Sequence, residues 1–194
     1  MPVYLRGLLF LSEQGRQSIS SRNLADLLCV NASQIRKDFS YFGAFGTPGV
    51  GYDIKKLARQ IKKILNLSVF RKAALVGVGN LGSALLAYPG FGMYGFDIAA
   101  AFDSDPKKIG RKINDVPVEN VSNLRSLRRR KINLAIIAVP RDAAQQTADS
   151  LVKAGVKGIL NFSPLRVTVP KRVKVITIDI AMELARLPYY LPTG

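Results

Sequence analysis

The stretch Lys72-Ala-Ala-Leu-Val-Gly-Val-Gly-Asn-Leu-Gly-Ser-Ala-Leu-Leu86 constrains the fold of this chain more than any other. An apolar run of strand type enters Gly77-x-Gly79-x-x-Gly82, and a helical pattern leaves it. In that context the glycines provide a tight turn, close approach of backbone N–H groups to a pyrophosphate, and close packing of helix on strand. A glycine turn that binds nothing remains the other reading. Further apolar runs follow at Ile98 to Phe102, Leu134 to Val139, the segment around Gly158 to Asn161, and Val173 to Ile178, with helical stretches between them. This alternation predicts a parallel α/β sheet, and Arg141 to Ala154 reads as a crossover helix.

Doubly wound sheets bind ligands at the carboxyl ends of their strands. The candidate dinucleotide residues therefore lie there: Gly77, Gly79, Asn80, Leu81 and Gly82 in the first loop, Asp103 after the second strand, Val139 and Pro140 after the third, and Asn161 after the fourth. A carboxylate at Asp103 would accept ribose hydroxyls and repel a 2′-phosphate, which favours NAD(H). The nearby Lys107 and Lys108 weaken that preference, and an acid ending a strand can also serve only as a cap. The basic run Arg128 to Lys131 reads as a solvated helix end beside its own C-terminal dipole. Asp179 caps a last helix running through Leu187, and the apolar tail of Leu187, Tyr189, Tyr190 and Leu191 predicts a homodimer interface.

The texture before Asn66 to Lys72 is different. Val3 to Glu13 has helical spacing and is stopped by Gly15; Ser21 is a cap candidate for a short helix burying Leu24, Leu27 and Leu28. After a turn at Cys29 to Asn31, Ser33 is expected to cap a third helix with Ile35, Phe39 and Phe42 inward and Gln34, Arg36, Lys37, Ser40 and Tyr41 outward. Gly43 to Gly51 is too glycine-rich for a helix and reads as a hairpin, or wing. Asp53 then caps an amphipathic helix with Ile54, Leu57, Ala58, Ile61, Ile64 and Leu65 on one face. The lysines of this helix read alone as a solvated face. Next to a short capped helix, a three-residue turn and a second helix bearing Arg36 and Lys37, they fit a winged helix-turn-helix set to enter a major groove. Whether Arg36 and Lys37 meet guanine edges or phosphates stays open. The candidate DNA-facing set is Ser33, Gln34, Arg36, Lys37, Ser40, Tyr41 and Tyr52.

Composition narrows the chemistry. There is no histidine, which excludes His-dependent nucleophilic triads, His general acid–base catalysis and His-containing zinc sites. Cys29 is the single cysteine, so neither an intramolecular disulfide nor a CxxC metal knuckle exists, and no metal is expected. With 29 Lys and Arg against 13 Asp and Glu, the formal charge of +16 points to a polyanionic partner. No apolar run near the start suits a signal peptide or a membrane span, so a cytoplasmic protein without a membrane partner is expected.

With these residues in place, the chain resembles the Rex family of redox-sensing transcriptional repressors along nearly its whole length. The runs that carry the resemblance are Ile35-Arg-Lys-Asp-Phe-Ser-Tyr-Phe-Gly43, Gly49-Val-Gly-Tyr52, Gly77-Val-Gly-Asn-Leu-Gly82, Phe102-Asp-Ser-Asp-Pro106, Val139-Pro140 and Gly155-Val-Lys-Gly-Ile-Leu-Asn-Phe-Ser-Pro164. The first and last are far more specific than the glycine motif. The resemblance implies an N-terminal winged helix-turn-helix domain at 1–68, a Rossmann-like NAD(H)-binding domain at 69–176, and a dimerisation helix at 177–194 that is swapped between subunits. It implies a homodimer that binds palindromic operator DNA when NADH is scarce and lets go when NADH binds. Arg36 and Lys37 then match the recognition-helix contacts, and Arg6, Tyr88 and Asp179 match a redox switch. The resemblance also implies two departures. Thr47 and Pro48 replace the basic residues usual before Gly-Val-Gly-Tyr, so weak wing contact is expected. Met1 to Arg6 falls inside the first helix of the family pattern, so either a lower DNA affinity or an incomplete start is expected.

Three other readings compete. A nicotinamide-dependent dehydrogenase needs a proton donor or acceptor beside the hydride site and a substrate domain; this chain has no histidine for the first, although a Tyr or Lys could serve, and only a winged helix beside its Rossmann unit in place of the second, so it is read as no enzyme. A nucleotide- or CoA-binding ligase subunit would share the loops but not Arg36 and Lys37 on a helix-turn-helix. A generic nucleic-acid tether would bind DNA without regard to sequence or cofactor.

Overall fold

The computed structural model describes residues 1–43, 45–46 and 51–191. The chain divides into two compact units, Met1–Val69 and Phe70–Gly194. Among the described residues, no helix is long and apolar enough to cross a membrane.

The first unit is built on α1 (Pro2–Glu13), β1 (Ser18–Ile19), α2 (Ser21–Leu28), α3 (Ala32–Phe42), β2 (Tyr52–Asp53) and α4 (Ile54–Ile64). Its core collects one face of each helix: Leu5, Leu8 and Leu11 of α1, Leu24 of α2, Ile35 and Phe39 of α3, and Ile54, Leu57 and Ile61 of α4. Each of the last three helices starts on a side-chain cap, but two caps sit one or two residues earlier than expected. Ser20, not Ser21, accepts from the Asn23 N–H, and Asn31, not Ser33, accepts from the Ser33 N–H at 2.8 Å. Asp53 caps α4 through the Lys56 N–H as predicted.

The buried faces also differ from the expectation. Leu27 of α2 and Phe42 of α3 are exposed, and Ala25 is buried instead. Cys29 ends α2 in the left-handed region at φ 52°, and its side chain is exposed. The expected hairpin falls mostly outside the described residues, including Thr47, Pro48, Gly49 and Val50. At its described end β2 pairs antiparallel with β1, Ile19 opposite Tyr52. That strand was not legible in Ser18–Ile19, two residues with no alternation to read.

The second unit carries β3 (Arg71–Val76), α5 (Asn80–Ala87), α6 (Gly90–Met93), β4 (Phe96–Asp103), β5 (Lys112–Ile113), β6 (Val116–Asn120), α7 (Ser126–Arg129), β7 (Leu134–Ile137), α8 (Arg141–Lys153), β8 (Gly158–Asn161), β9 (Lys174–Thr177) and α9 (Ile180–Ala185). Seven strands form one sheet in the order β5-β6-β4-β3-β7-β8-β9, parallel except for the β5–β6 hairpin. Helices cover both faces. Ala74, Val76, Ala100 and Phe102 pack with Leu127 of α7 and Ala144, Ala148 and Leu151 of α8. Leu75, Ile98, Ala101 and Ile136 pack on the other side with Leu86 of α5.

Ile98 and Ala101 share a face although they are three apart, because the register slips between Ala73 and Ala74 and leaves Ala99 as an extra residue. The Ala99 carbonyl accepts from Arg130 Nη2 at 2.6 Å, and Arg130 Nη1 also reaches Glu119 at 2.6 Å. The last helix, α9, is shorter than read and is followed by a 3-10 turn at Leu187–Tyr190. Ile180, Met182, Leu184, Leu187, Tyr189, Tyr190 and Leu191 are all exposed.

Candidate functional site

The glycine loop joins β3 to α5 at the carboxyl edge of the sheet. Gly77 has φ +93°, and a Cβ there would sit 2.5 Å from the Ala138 carbonyl oxygen. A Cβ on Gly82 would collide with the Gly77 carbonyl, so Gly82 is what lets α5 close on the turn. Gly79 is different: apart from its two chain neighbours, nothing among the described residues lies within 4 Å of where its Cβ would be. The protein's own packing does not require glycine at 79. A ligand drawn up against the backbone would.

Asp103, at the end of β4, braces this loop. Its Oδ2 accepts from the Val78 N–H at 2.7 Å and from Lys108 Nζ at 3.1 Å, and its Oδ1 accepts from the Asp105 N–H at 2.9 Å. Burial pushes the carboxyl up, but the Asp105 and Val78 N–H bonds and the Lys108 ammonium outweigh it, so Asp103 stays below the ordinary carboxylate range. The carboxylate thus works first as a brace. With about four lone-pair sites and three donors, it keeps one acceptor position for a ligand hydroxyl.

A cleft of about 750 Å³ opens beside this loop. Gly77, Gly79, Asp103, Val139 and Pro140, all named from sequence as candidate cofactor contacts, line it. Lys108, noted from sequence only for its closeness to Asp103, lines it too, and so do Gln146, Thr147 and Ser150 of α8 with Ser104, Asn120 and Ser122, which carry no expectation from sequence. The α8 residues had a signal: Ala143, Gln146, Thr147 and Ser150 recur at i, i+3, i+4 and i+7, a small polar stripe beside the buried Ala144, Ala148 and Leu151.

Four expected contacts lie elsewhere. Asn80 and Leu81 are exposed on the first turn of α5 and do not line the cleft, and Gly82 is inside the turn. Asn161 corrects the expectation. It is fully buried, its amide donates to the Leu165 carbonyl at 2.8 Å and the Ser163 carbonyl at 3.3 Å, and its Oδ1 accepts from the Ser163 N–H. It fastens the loop after β8 rather than facing a ligand.

Tyr88 is exposed at the end of α5, its ring edge-on to Phe91 with centroids 5.4 Å apart, beside a second cavity of about 260 Å³. Asp179 accepts from the Met182 N–H and caps α9. Among the described residues, no hydrogen bond joins Tyr88 to Asp179. Arg6 is exposed on α1, in the first unit.

In that first unit α3 presents Ser33, Gln34, Arg36, Lys37, Ser40 and Tyr41 to solvent. Arg36 Nη1 donates to the Ser21 hydroxyl at 3.2 Å, and Gln34 Nε2 donates to Asp38. Asp38, which the sequence reading passed over, also accepts from the Tyr4 hydroxyl at 2.5 Å and so ties α3 to α1. The Tyr4 bond chiefly, with the Gln34 bond, holds the Asp38 carboxyl below its ordinary value; burial, with Asp38, pushes the Tyr4 phenol up to about 12. No apolar pattern links residues 34 positions apart, so this tie was invisible before folding. Tyr52, expected on DNA, is half-buried with its ring 5.2 Å from Phe39 and nearly perpendicular to it. Burial raises its phenol too, with Arg36 opposing. Its ring packs β2 against α3.

Comparison with known proteins matches residues 71–165 to the family described as "CoA binding domain" and residues 1–40 to "Putative DNA-binding protein N-terminus". The chain is 46% identical over 192 residues to the redox-sensing transcriptional repressor Rex of Lactobacillus gasseri, covering 98% of this chain and 90% of the relative. It is also 46% identical to the same repressor of Chloroflexus aurantiacus, covering 98% and 91%. Among solved structures it superposes on RSP in complex with NAD+ and operator DNA with a TM-score of 0.90 at 39% identity, covering 97% of this chain and 88% of that one. RSP in complex with NADH gives 0.87 at 37%, covering 97% and 89%.

Proposed function

The chain belongs to the Rex family of redox-sensing transcriptional repressors, and we propose that it binds palindromic operator DNA as a cytoplasmic homodimer at low NADH and is released when NADH occupies the cleft of the second unit. It is a regulator and not an enzyme. The observation that carries the dinucleotide reading is Gly79, a glycine that the chain's own packing leaves without a reason and that opens on a cleft built at the carboxyl edge of the sheet. Gly77 and Gly79 would bring backbone N–H groups to the pyrophosphate, and the spare acceptor of Asp103 would take a ribose hydroxyl. Val139 and Pro140 would bound the cleft on its far side.

On the DNA side, Arg36 and Lys37 on α3 would supply the groove contacts, with Ser33, Gln34, Ser40 and Tyr41 around them. The chain is assigned as a DNA-binding domain over 1–68, a dinucleotide domain over 69–176, and a dimerisation segment over 177–194. The exposed apolar face of α9 and the turn after it supports that last assignment.

Oxidised nicotinamide carries a positive charge that the reduced ring lacks, and this is the chemistry the cofactor brings. Asp179 can answer it by exchanging partners, pairing with Arg6 in one state and accepting from the Tyr88 hydroxyl in the other. The test is binding to a palindromic duplex selected from random sequence, titrated with NADH and separately with NAD+ at fixed salt. Release at low NADH with NAD+ neutral or protective is expected. Sequence-specific binding that neither dinucleotide alters would contradict the redox reading, and full NADH-driven release by Asp179→Ala would remove Asp179 from the switch.

A further inference from the structure

A second basic surface lies at the opposite edge of the sheet. The connections entering β7, β8 and β9, residues 128–133, 153–157 and 170–174, hold nine Lys and Arg and no Asp or Glu. They are distant in sequence, but the sheet makes them neighbours. Leu134, Gly158 and Lys174 stand side by side in the register, and adjacent strands run about 4.8 Å apart, so the three connections share one narrow strip. Backbone bonds lock them together: the Lys157 N–H donates to the Asn133 carbonyl at 2.8 Å, and the Lys174 N–H to the Lys157 carbonyl at 2.9 Å.

Eight of these nine cations are exposed, and among the described residues none of the eight is in an ion pair. Arg130 is the exception, held by Glu119 and the Ala99 carbonyl. Arg128, Arg129 and Lys153 occupy last turns of α7 and α8, where two helix C-termini offer about half a negative charge each. That leaves most of the strip's charge unanswered. Solubility asks for scattered charge, not for segregation, and the carboxyl edge carries Asp103, Asp105, Asp142 and Asp179. The carboxylates beside the strip are Glu119, which is taken up by Arg130, and Asp149, one turn before Lys153 on α8, whose Oδ1 accepts from Gln145 Nε2.

We infer that the amino-terminal edge of the β7-β8-β9 sheet is a second, sequence-independent binding surface for duplex DNA. This role rests on the proposal that the chain works on duplex DNA. A strip of unpaired cations is the footprint that phosphate neutralisation leaves on a protein, and these cations sit at helix ends and strand-entry turns rather than along one face of a helix that could enter a major groove. Its contribution falls on DNA outside the operator, where it raises non-specific residence.

The test compares the full-length protein, Arg36→Ala/Lys37→Ala, and the latter with Lys157→Gln, Lys171→Gln and Arg172→Gln added, binding a labelled non-operator duplex over a range of salt. All three added positions are exposed, and unchanged NADH binding reports that the fold is kept. The Arg36/Lys37 variant should lose operator preference yet still bind the duplex. Adding the three glutamines should weaken that binding tenfold or more at low salt and make the log–log salt slope shallower by about 2 to 3. An unchanged affinity and slope overturns the inference, as does loss of all duplex binding in the Arg36/Lys37 variant while the parent protein still binds its operator. If the protein has no operator but the strip still governs duplex binding, the operator reading fails and this one stands. Loss confined to a poly(U) RNA probe, with duplex binding untouched, overturns the DNA assignment in favour of RNA.

Discussion

Residue by residue, the proposed dinucleotide site rests on Asp103, whose partners Val78, Asp105 and Lys108 lie on the glycine loop and on the turn after β4. Asp103→Asn keeps the size but turns one acceptor into an N–H donor facing a backbone N–H or the Lys108 ammonium. A buried donor left against a donor costs about 1 to 3 kcal/mol, so we expect a lower melting temperature together with weaker NADH binding. Gly79→Ala is expected to behave differently, because nothing in the chain contests the added methyl. Its melting temperature should hold while its NADH dissociation constant, read by nucleotide fluorescence, rises tenfold or more. Equal NADH affinity in Gly79→Ala would mean that the ligand does not approach this loop. The glycines and Asp103 were legible in sequence because strand, loop and helix signals bracket them. The brace on Val78 was not, since a backbone N–H leaves no mark in the residue pattern. Asn161 shows the reverse failure. A polar residue at the carboxyl end of a strand looks like a ligand contact, and only burial reveals that its bonds are spent on its own loop.

Among the elements, α3, the proposed recognition helix, is held at its start and at its middle. Asn31 fixes its start by accepting from the Ser33 N–H and hydroxyl, and Asp38 ties its middle to Tyr4 on α1. Asn31→Ala removes a cap worth about 1 kcal/mol, which in a unit this small lowers its melting temperature by about 4 to 8 °C. Because Ser33 and Gln34 sit on the released turn, operator affinity should fall further than non-operator affinity. The same loss for both duplexes would show that the cap serves stability alone. The helix-turn-helix was readable from periodicity and turn residues, whereas its cap positions were off by one or two because Ser20 and Ser21, or Asn31 and Ser33, are equally good capping types. The partner strand β1 was hidden by its length. The polar stripe of α8 was there to be counted at i, i+3, i+4 and i+7, but the buried alanines on the adjacent face dominate the pattern.

The molecule as a whole responds to pH through the same groups. Asp38 and Asp103 lie below 3.8 in the folded state, so the unfolded chain takes up protons first on acidification. Stability present at neutral pH is therefore lost as pH falls through 3.8 and below. Tyr4 moves the other way. Its phenol rises from 10.0 to about 12, so stability held below pH 10.0 drains as pH climbs toward 12. Thermal melts across the alkaline range should show a shallower decline for Tyr4→Phe than for the parent protein; an identical decline would place the tyrosine–aspartate tie outside the folded-state balance. The charge of +16 should likewise make DNA affinity fall steeply with salt.

Release of DNA by NADH requires that the cleft and the DNA face be coupled, and such coupling must be reciprocal. The NADH dissociation constant, measured with and without saturating operator, reads that coupling without an intermediary. It should rise with operator present by the same factor by which NADH weakens operator binding, within the roughly 5- to 150-fold range usual for coupled sites. An NADH affinity that operator leaves unchanged would contradict a coupled repressor.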